Sequence, residues 1–544
     1  LSNRIPGAIS TVISSAGIIG SGNGVRKPVI LGVGDVKALV TDERVIRGTT
    51  AGGKDVLSST LYGSTVVKVG NSPGSSDWAL TTNYTVDTAN NAIDWSPGAD
   101  IGGSTPITQY GVVLSSADTS HFIPTNTGAW STTTNYYVGA TVTVTNPDSS
   151  NYGLSETVTA YNGTTREFTL GVGFTNPILA NATVLVTLQP DEPASGQEYY
   201  VTYYKVLNNF TLTEYTAETD IRAAHGDISL SNSTDTTTAP NKLTIGAFLS
   251  LRNGSQSVIV GQLNNTSWGD KYNPTESEFN ASLNVQLEAL KNQIDFKLYV
   301  IPMTNFSTSI NYVWNHCKLM SAPENKGERT CIAGLARGTS VATFVSTATA
   351  YASTRLILMA PSEVRFSDLT AVQLAGDIAA SAFSGLRVNT PRVSQAMTGQ
   401  ALTGITIETI YAPSQQRDLL GSGLAVLVSK AGVVSILHDK STDVSTPDTE
   451  ENAIIELADY LKKITRETLY NVYKGAPITK LLPSAMGTTL AKLLEKEITN
   501  VNIVEYRDIS IMQDTVDPRL VLVNCKIKPI YSLTFINITM SFYV

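Results

Sequence analysis

The hydrophobic period changes abruptly along this chain, and that change bounds what the chain can fold into. From about residue 61 to residue 204, short strand-like runs alternate with turn clusters, and no helical period survives ten residues. Runs at 65–69 and 92–95 are followed by Asn71-Ser72-Pro73-Gly74 and Ser96-Pro97-Gly98. Others lie at 84–87, 140–145, 156–161, 167–170 and 182–188. Lys and Arg are almost absent there. Such a segment reads as one or two small all-β barrels or sandwiches.

From about residue 243 strands and helices alternate. Strands are expected at 257–262, 296–301, 330–335 and 354–359, and helices at 276–291, 308–319, 341–352 and 370–384. Phe279, Leu283, Leu287 and Leu290 carry the helical spacing of the first helix. Parallel strands joined by helical crossovers are the economical arrangement. Strands at 425–428 and 433–438 flank a turn, and the longest helix is expected over 447–474. Thr446 caps it, Pro447 takes its first position, and Asp448, Glu450 and Glu451 suit the positive end of its dipole. Ile454, Leu457, Leu461 and Ile464 form its apolar face, and Gly475 and Pro477 stop it.

Both ends of the sequence read as extended arms. Residues 1–24 hold Pro6-Gly7, a Gly20-x-Gly22-x-Gly24 run and the β-branched or apolar Ile9, Val12 and Ile13, without enough periodicity for a domain. At the other end Ile536, Ile538, Met540, Phe542 and Val544 alternate with Asn537, Thr539, Ser541 and Tyr543. A strand with so clean a period of two needs a partner, because its bare edge invites aggregation. The partner is either a strand of the same chain or, by strand addition, a sheet of a neighbouring subunit.

The chemistry of an enzyme is not visible. The 544 residues carry a net charge of −8 with 15% charged residues and no Lys/Arg cluster, which argues against general nucleic-acid binding. The three cysteines, Cys317, Cys331 and Cys525, form no CxxC pair and read as buried thiols. His121, His225, His316 and His438 are scattered without metal-ligand spacing. There is no G-x-S-x-G elbow. Gly48 to Lys54 fits the phosphate-binding spacing G-x-x-x-x-G-K, but Asp55 stands where a magnesium-binding hydroxyl is needed, so a Gly-rich turn is expected instead. No catalytic, cofactor or metal residue is therefore assigned. No apolar run of about 18 residues and no secretory signal is present, so a soluble, cytoplasmically made protein is expected.

Several stretches resemble the contractile tail sheath family of bacteriophages. Ile93-Asp94-Trp95-Ser96-Pro97 and Glu198-Tyr199-Tyr200-Val201-Thr202-Tyr203-Tyr204 look like the strands that open and close a β region in phage sheaths. Arg329-Thr330-Cys331-Ile332-Ala333-Gly334 and Arg355-Leu356-Ile357-Leu358-Met359-Ala360-Pro361 resemble the family's central α/β part. Leu420-Gly421-Ser422-Gly423, Val433-Val434-Ser435-Ile436 and the long helix after them resemble its C-terminal domain. The resemblance covers roughly residues 1–60 and 200–544.

It implies an α+β, multidomain fold. A 1–24 arm precedes a central α/β sheath domain (25–60 plus 205–400), which carries an inserted, surface-exposed all-β region at 61–204 with a nested insertion at about 100–195. A C-terminal sheath domain at 401–529 and a strand arm at 530–544 complete the chain. The implied role is a virion structural subunit of a myovirus tail or contractile injection system, assembled as hexameric rings stacked into a helical polymer. Its contraction drives the tube through a host envelope for genome ejection, without nucleotide or other cofactor. The implied partners are copies of itself, the tail tube protein, and baseplate and tail terminator proteins, with no nucleic acid and no direct membrane insertion. Strand exchange between subunits would use Ile9, Val12, Ile13, Ile536, Ile538, Met540 and Phe542. Lys462, Lys463 and Arg466, the densest basic group in the chain, are candidates to face an acidic tube. The competing reading is an adhesin or other surface structural protein that binds glycans through its β domains.

Overall fold

The computed structural model describes residues 26–531 apart from 36, 49–53, 71, 74–75, 77–83, 96–106, 116–117, 126, 133, 135, 139, 189–196, 208, 230–239, 271 and 294–296. It divides into two compact units. One is Lys37–Val206, and the other takes the chain on either side of it.

The larger unit is built on a nine-stranded mixed sheet. Its order is Thr213–Tyr215, Val258–Gln262, Arg26–Gly32, Lys297–Pro302, Arg329–Gly334, Leu356–Ala360, Leu424–Lys430, Val433–His438, Ala401–Leu402. The strands from Val258–Gln262 through Leu424–Lys430 pair in parallel. Antiparallel strands close both edges. Arg329–Gly334 and Leu356–Ala360 are buried at every position, as expected of parallel strands covered on both faces. Alternate residues feed two cores. Ile30, Ile332 and Ile357 join Phe248 and Phe383 on one face, and Val29, Leu31 and Leu358 join Phe279, Val313 and Phe344 on the other.

Helices Lys242–Arg252 and Asp377–Asn389 approach closely in the first of these layers. A Cβ at Gly385 would stand 2.2 Å from the Ser250 carbonyl oxygen, and Ser250 Oγ donates to Ser381 O at 3.1 Å. The helix expected over 370–384 is divided. Leu369–Leu374 is a strand paired with Val364–Phe366, and the helix proper is Asp377–Asn389. Leu369–Leu374 holds its place by antiparallel pairing to Val364–Phe366, a tertiary partner that prevails over the local helical spacing.

The smaller unit is all β. Lys37–Ile46, Glu198–Val206 and Leu61–Gly70 form one three-stranded sheet, and Lys54–Val56, Ala92–Asp94 and Thr85–Asp87 another. Between Ile107 and Leu188 six strands close into a barrel, a form with no bare edge. The barrel is filled by Trp130, Tyr137, Tyr161, Phe122 and Phe168, the last two stacked with centroids 4.8 Å apart.

After the large sheet come the helices Asn452–Tyr473 and Leu482–Thr499 and a hairpin of Ile503–Gln513 with Val521–Pro529. The expected single long helix is interrupted. Pro447–Glu450 forms one turn, Glu451 takes an extended backbone (φ −84°, ψ 112°), and the main helix restarts at Asn452. Helix Leu482–Thr499 was not expected from sequence, although Met486, Leu490 and Leu494 at four-residue spacing behind Pro483 are its signature.

Candidate functional site

The hairpin is the element whose geometry most needs a partner. Met512 faces Leu522, Ile511 faces Val523, and Tyr506 faces Ile527 across the two strands. At the turn, Asp514 N donates to Leu520 O at 2.8 Å, and Asp514 Oδ1 accepts from the amides of Val516 and Asp517. One face places Ile509, Ile511, Val523, Cys525 and Ile527 against Leu490, Leu494 and Leu457 of the two helices. The other presents Arg507, Met512, Leu522, Lys526 and Lys528 to solvent. Among the described residues the sheet has two strands only, so both outer edges carry backbone donors and acceptors outside any ladder. Two strands alone are marginal in water, and the helix packing is what holds them.

A buried ionic assembly fastens helix Asn452–Tyr473 to the large sheet. Arg26, Lys297 and Arg329 open three adjacent parallel strands, and Arg355 immediately precedes the next. The helix answers with Glu456 and Asp459, both buried. Arg26 Nη1 donates to Glu456 Oε2 at 3.2 Å and to Thr390 Oγ1 at 2.9 Å, and its Nη2 donates to Thr390 O at 2.6 Å. Arg387 Nη2 reaches the same Glu456 oxygen at 2.7 Å, and its Nη1 lies 3.3 Å from Asp439 Oδ2. Asp459 is gripped by Lys297 and by both guanidinium nitrogens of Arg355, at 2.5 and 2.8 Å. Burial pushes the Asp459 carboxyl up, but Lys297 and Arg355 outweigh it and hold the group at about 2. Glu456 is driven by burial to about 7, against the pull of Arg26. Burial lowers Arg387 to about 10. A cleft of about 520 Å³ opens beside this assembly, lined among others by Arg392, Tyr460, Glu467 and Lys496.

The break at Glu451 is stitched to the strand end beside it. Ser441 N donates to Glu450 O at 2.8 Å, Asn452 Nδ2 donates to Asp439 Oδ1 at 2.6 Å, and His438 Nε2 lies 3.3 Å from Glu451 Oε1. Burial and the neighbouring Asp439 push the Glu451 carboxyl to about 7.

The three basic candidates of helix Asn452–Tyr473 differ in exposure and pairing. Lys462 is exposed, Lys463 is buried with Glu467 Oε1 at 3.8 Å, and Arg466 donates to Glu328 Oε1 at 2.6 Å. Ile9, Val12, Ile13, Ile536, Ile538, Met540 and Phe542 lie outside the described residues. Asp55, which breaks the phosphate-loop spacing, is buried and accepts from Gly48 N at 2.8 Å, Trp95 Nε1 at 3.0 Å and the Tyr199 hydroxyl at 3.0 Å. Burial, reinforced by that carboxylate, pushes the Tyr199 hydroxyl far up. His316 accepts from Arg329 and is driven to about 3, first by burial and then by that cation. Burial raises the Cys317 thiol to about 12. Among the described residues no group of three or more His, Cys, Asp or Glu is placed to hold a metal ion, and no helix is long and apolar enough to cross a membrane.

The ionic assembly was missed in the sequence because its members are up to 430 residues apart. The available signal was Glu456, Asp459 and Lys463 at helical spacing beside the apolar positions of one helix.

No family model and no curated protein matches the chain. Solved structures similar to it are contractile sheath proteins. The anti-feeding prophage helical sheath in its contracted state is 13% identical with a TM-score of 0.47, over 61% of this chain and 88% of that one. The sheath tail protein of Desulfitobacterium hafniense is 10% identical with a TM-score of 0.40, over 96% of this chain and 100% of that one. The sheath tail protein Lin1278 of Listeria innocua is 11% identical with a TM-score of 0.42, over 94% of each chain.

Proposed function

We propose that this chain is the structural subunit of a contractile tail sheath, polymerising as stacked hexameric rings around a tail tube and contracting to drive that tube through a cell envelope. The observation that carries the reading is the open-edged hairpin, followed within a few residues by the alternating segment 536–544. An edge that offers backbone donors and acceptors is an acceptor for an added strand, and a strand of period two is a donor. Exchanged between neighbours, the two link subunits into a mesh that stays connected while the subunits move. Segment 1–24, with Ile9, Val12 and Ile13, is the second donor. The work of contraction comes from tighter packing between subunits in the contracted state, so no nucleotide is consumed. Synthesis in the host cytoplasm, followed by assembly with tube, baseplate and terminator proteins, belongs to the same reading.

Electron microscopy of the full-length protein beside versions lacking 1–20 or 530–544 tests it. Long hollow tubes or stacked rings are expected from the full chain and lost on either deletion. A monodisperse monomer unaffected by both deletions, even with tube protein added, would overturn it.

A further inference from the structure

The cleft of about 520 Å³ beside the ionic assembly lies wholly within the larger unit. Most charges in its wall are already matched. Lys297 holds Asp459, Arg466 holds Glu328, and Lys463 lies 3.8 Å from Glu467. Arg26 and Arg387 both meet Glu456 at Oε2, which leaves its Oε1 buried without a hydrogen-bond partner. Glu497 is matched by neutral groups only, the Tyr460 hydroxyl at 3.4 Å and Asn502 Nδ2 at 2.7 Å. These two acids are 4% and 2% exposed, so they belong to the floor of the cleft. Arg392 and Lys496 line it too, but both are exposed and, among the described residues, outside any ion pair. They belong to its mouth. Half-buried Ile464 and Leu493 add apolar wall. A buried acceptor with no donor is costly, and a donor brought from outside the subunit removes that cost.

We propose that this cleft is a binding site for an arginine-like ligand, a guanidinium or primary ammonium on an aliphatic stem with a carboxylate at its far end. The cation meets Glu456 and Glu497, the stem lies along Ile464 and Leu493, and the carboxylate meets Arg392 and Lys496. The order of charges, acidic within and basic without, fixes which end enters. The volume is that of a small-ligand pocket, which holds roughly 300–1,000 Å³. The same chemistry occurs in a free basic amino acid and in a basic side chain beside an acidic one in a partner chain. Every group involved belongs to one subunit, so the inference goes beyond the sheath reading and holds without polymerisation.

Calorimetric titration of the full-length protein with L-arginine, agmatine and L-citrulline tests this. L-Arginine is expected to bind, and L-citrulline, whose urea group carries no charge, to bind at least about ten-fold more weakly. Agmatine, which lacks the carboxylate, is expected to fall between them. The double variant Arg392→Glu with Lys496→Glu changes exposed positions only, and is expected to bring L-arginine down to the level of agmatine. Glu497→Gln is expected to weaken both about ten-fold. The peptide Gly-Arg-Asp-Gly, blocked at both ends, separates the two sources. Binding as tight as that of L-arginine assigns the site to a partner's side chain, and binding of the free amino acid alone assigns it to a small molecule. Equal affinity for L-arginine and L-citrulline, or binding of neither L-arginine nor the peptide, would overturn the site. L-Arginine affinity unchanged in the double variant would overturn the placement of the carboxylate at the mouth.

Discussion

Arg26 Nη1 stands 3.2 Å from Glu456 Oε2, joining side chains 430 residues apart that are each 4% exposed. The same carboxylate oxygen receives Arg387 at 2.7 Å, so one acid bridges two buried guanidiniums. Replacing Glu456 by alanine removes a buried carboxylate from both cations, leaving Arg387 with Asp439 and Arg26 with neutral acceptors, and breaking a buried pair by removing one partner costs about 3–5 kcal/mol. The urea midpoint of the larger unit is expected to fall accordingly. Lys291→Ala, which removes an exposed pair with Glu288, is expected to leave that midpoint in place.

Asp55 anchors the smaller unit in the same manner, largely through neutral donors. Asp55→Ala leaves the Trp95 indole, the Tyr199 hydroxyl and the Arg47 guanidinium without their buried acceptor. Unmade hydrogen bonds cost about 1–3 kcal/mol each and more beside a charge. Limited proteolysis of this variant is expected to cut first within Lys37–Val206 while the rest of the chain stays resistant. Equal resistance of both units would show that Asp55 is dispensable.

How much of this was legible in the sequence depends on the range of each interaction. Five of the six parallel strands were visible because burial on both faces leaves apolar runs such as Leu356–Ala360, whereas Arg26–Gly32 was not read as a strand. Four of the barrel's six strands were visible through their turns, whereas Ile107–Ser115 and His121–Pro124 were not read from the sequence. The division at Gly376 was hidden because Leu369–Leu374 has no clean period of two and runs almost directly into the helix Asp377–Asn389, so its pairing with Val364–Phe366 is what makes it a strand. The break at Glu451 was hidden for a different reason. Thr446 and Pro447 start the turn locally, but its end meets Lys440 and Ser441 through backbone and side-chain contacts that form only once the strand end and the turn lie side by side. The charged cluster between the strand starts and helix Asn452–Tyr473 was hidden because residues at strand starts acquire meaning only once the strands lie side by side.

Glu451 gives the fold a pH dependence of defined sign. Its carboxyl rises from the ordinary 4.5 to about 7 through burial and the charge of Asp439. A carboxyl raised in the folded state binds its proton more tightly there than in the unfolded chain. Its stabilising contribution is therefore complete below 4.5 and is lost as the pH climbs through about 7. Wild-type protein is expected to lose melting temperature between pH 4.5 and pH 7 relative to Glu451→Gln, which stays neutral throughout. Parallel curves for the two proteins would remove Glu451 from the pH response. Asp459 acts in the opposite sense and in a different window. Held at about 2 against the ordinary 3.8, it contributes stability above 3.8 that disappears as the pH falls through about 2, so its loss does not overlap that of Glu451.

The basic residues of the long helix separate into one that can report on a partner and one that cannot. Arg466 is committed to Glu328, whose side chain is 7% exposed, so reversing Arg466 places two acids together at a half-buried position. Arg466→Glu is expected to lower the melting temperature whether or not a tube is present. Lys462 is exposed, and a surface charge of that kind is nearly neutral for stability. Lys462→Glu is therefore expected to melt with the wild type. If the helix faces an acidic tube, the same variant sediments less with added tube protein, and the deficit shrinks as salt screens the contact. Cosedimentation equal to wild type at low salt would place the tube contact elsewhere on the subunit. Because Lys463 is buried beside Glu467, a triple reversal would mix unfolding with lost contact, and the single variant at Lys462 keeps the two apart.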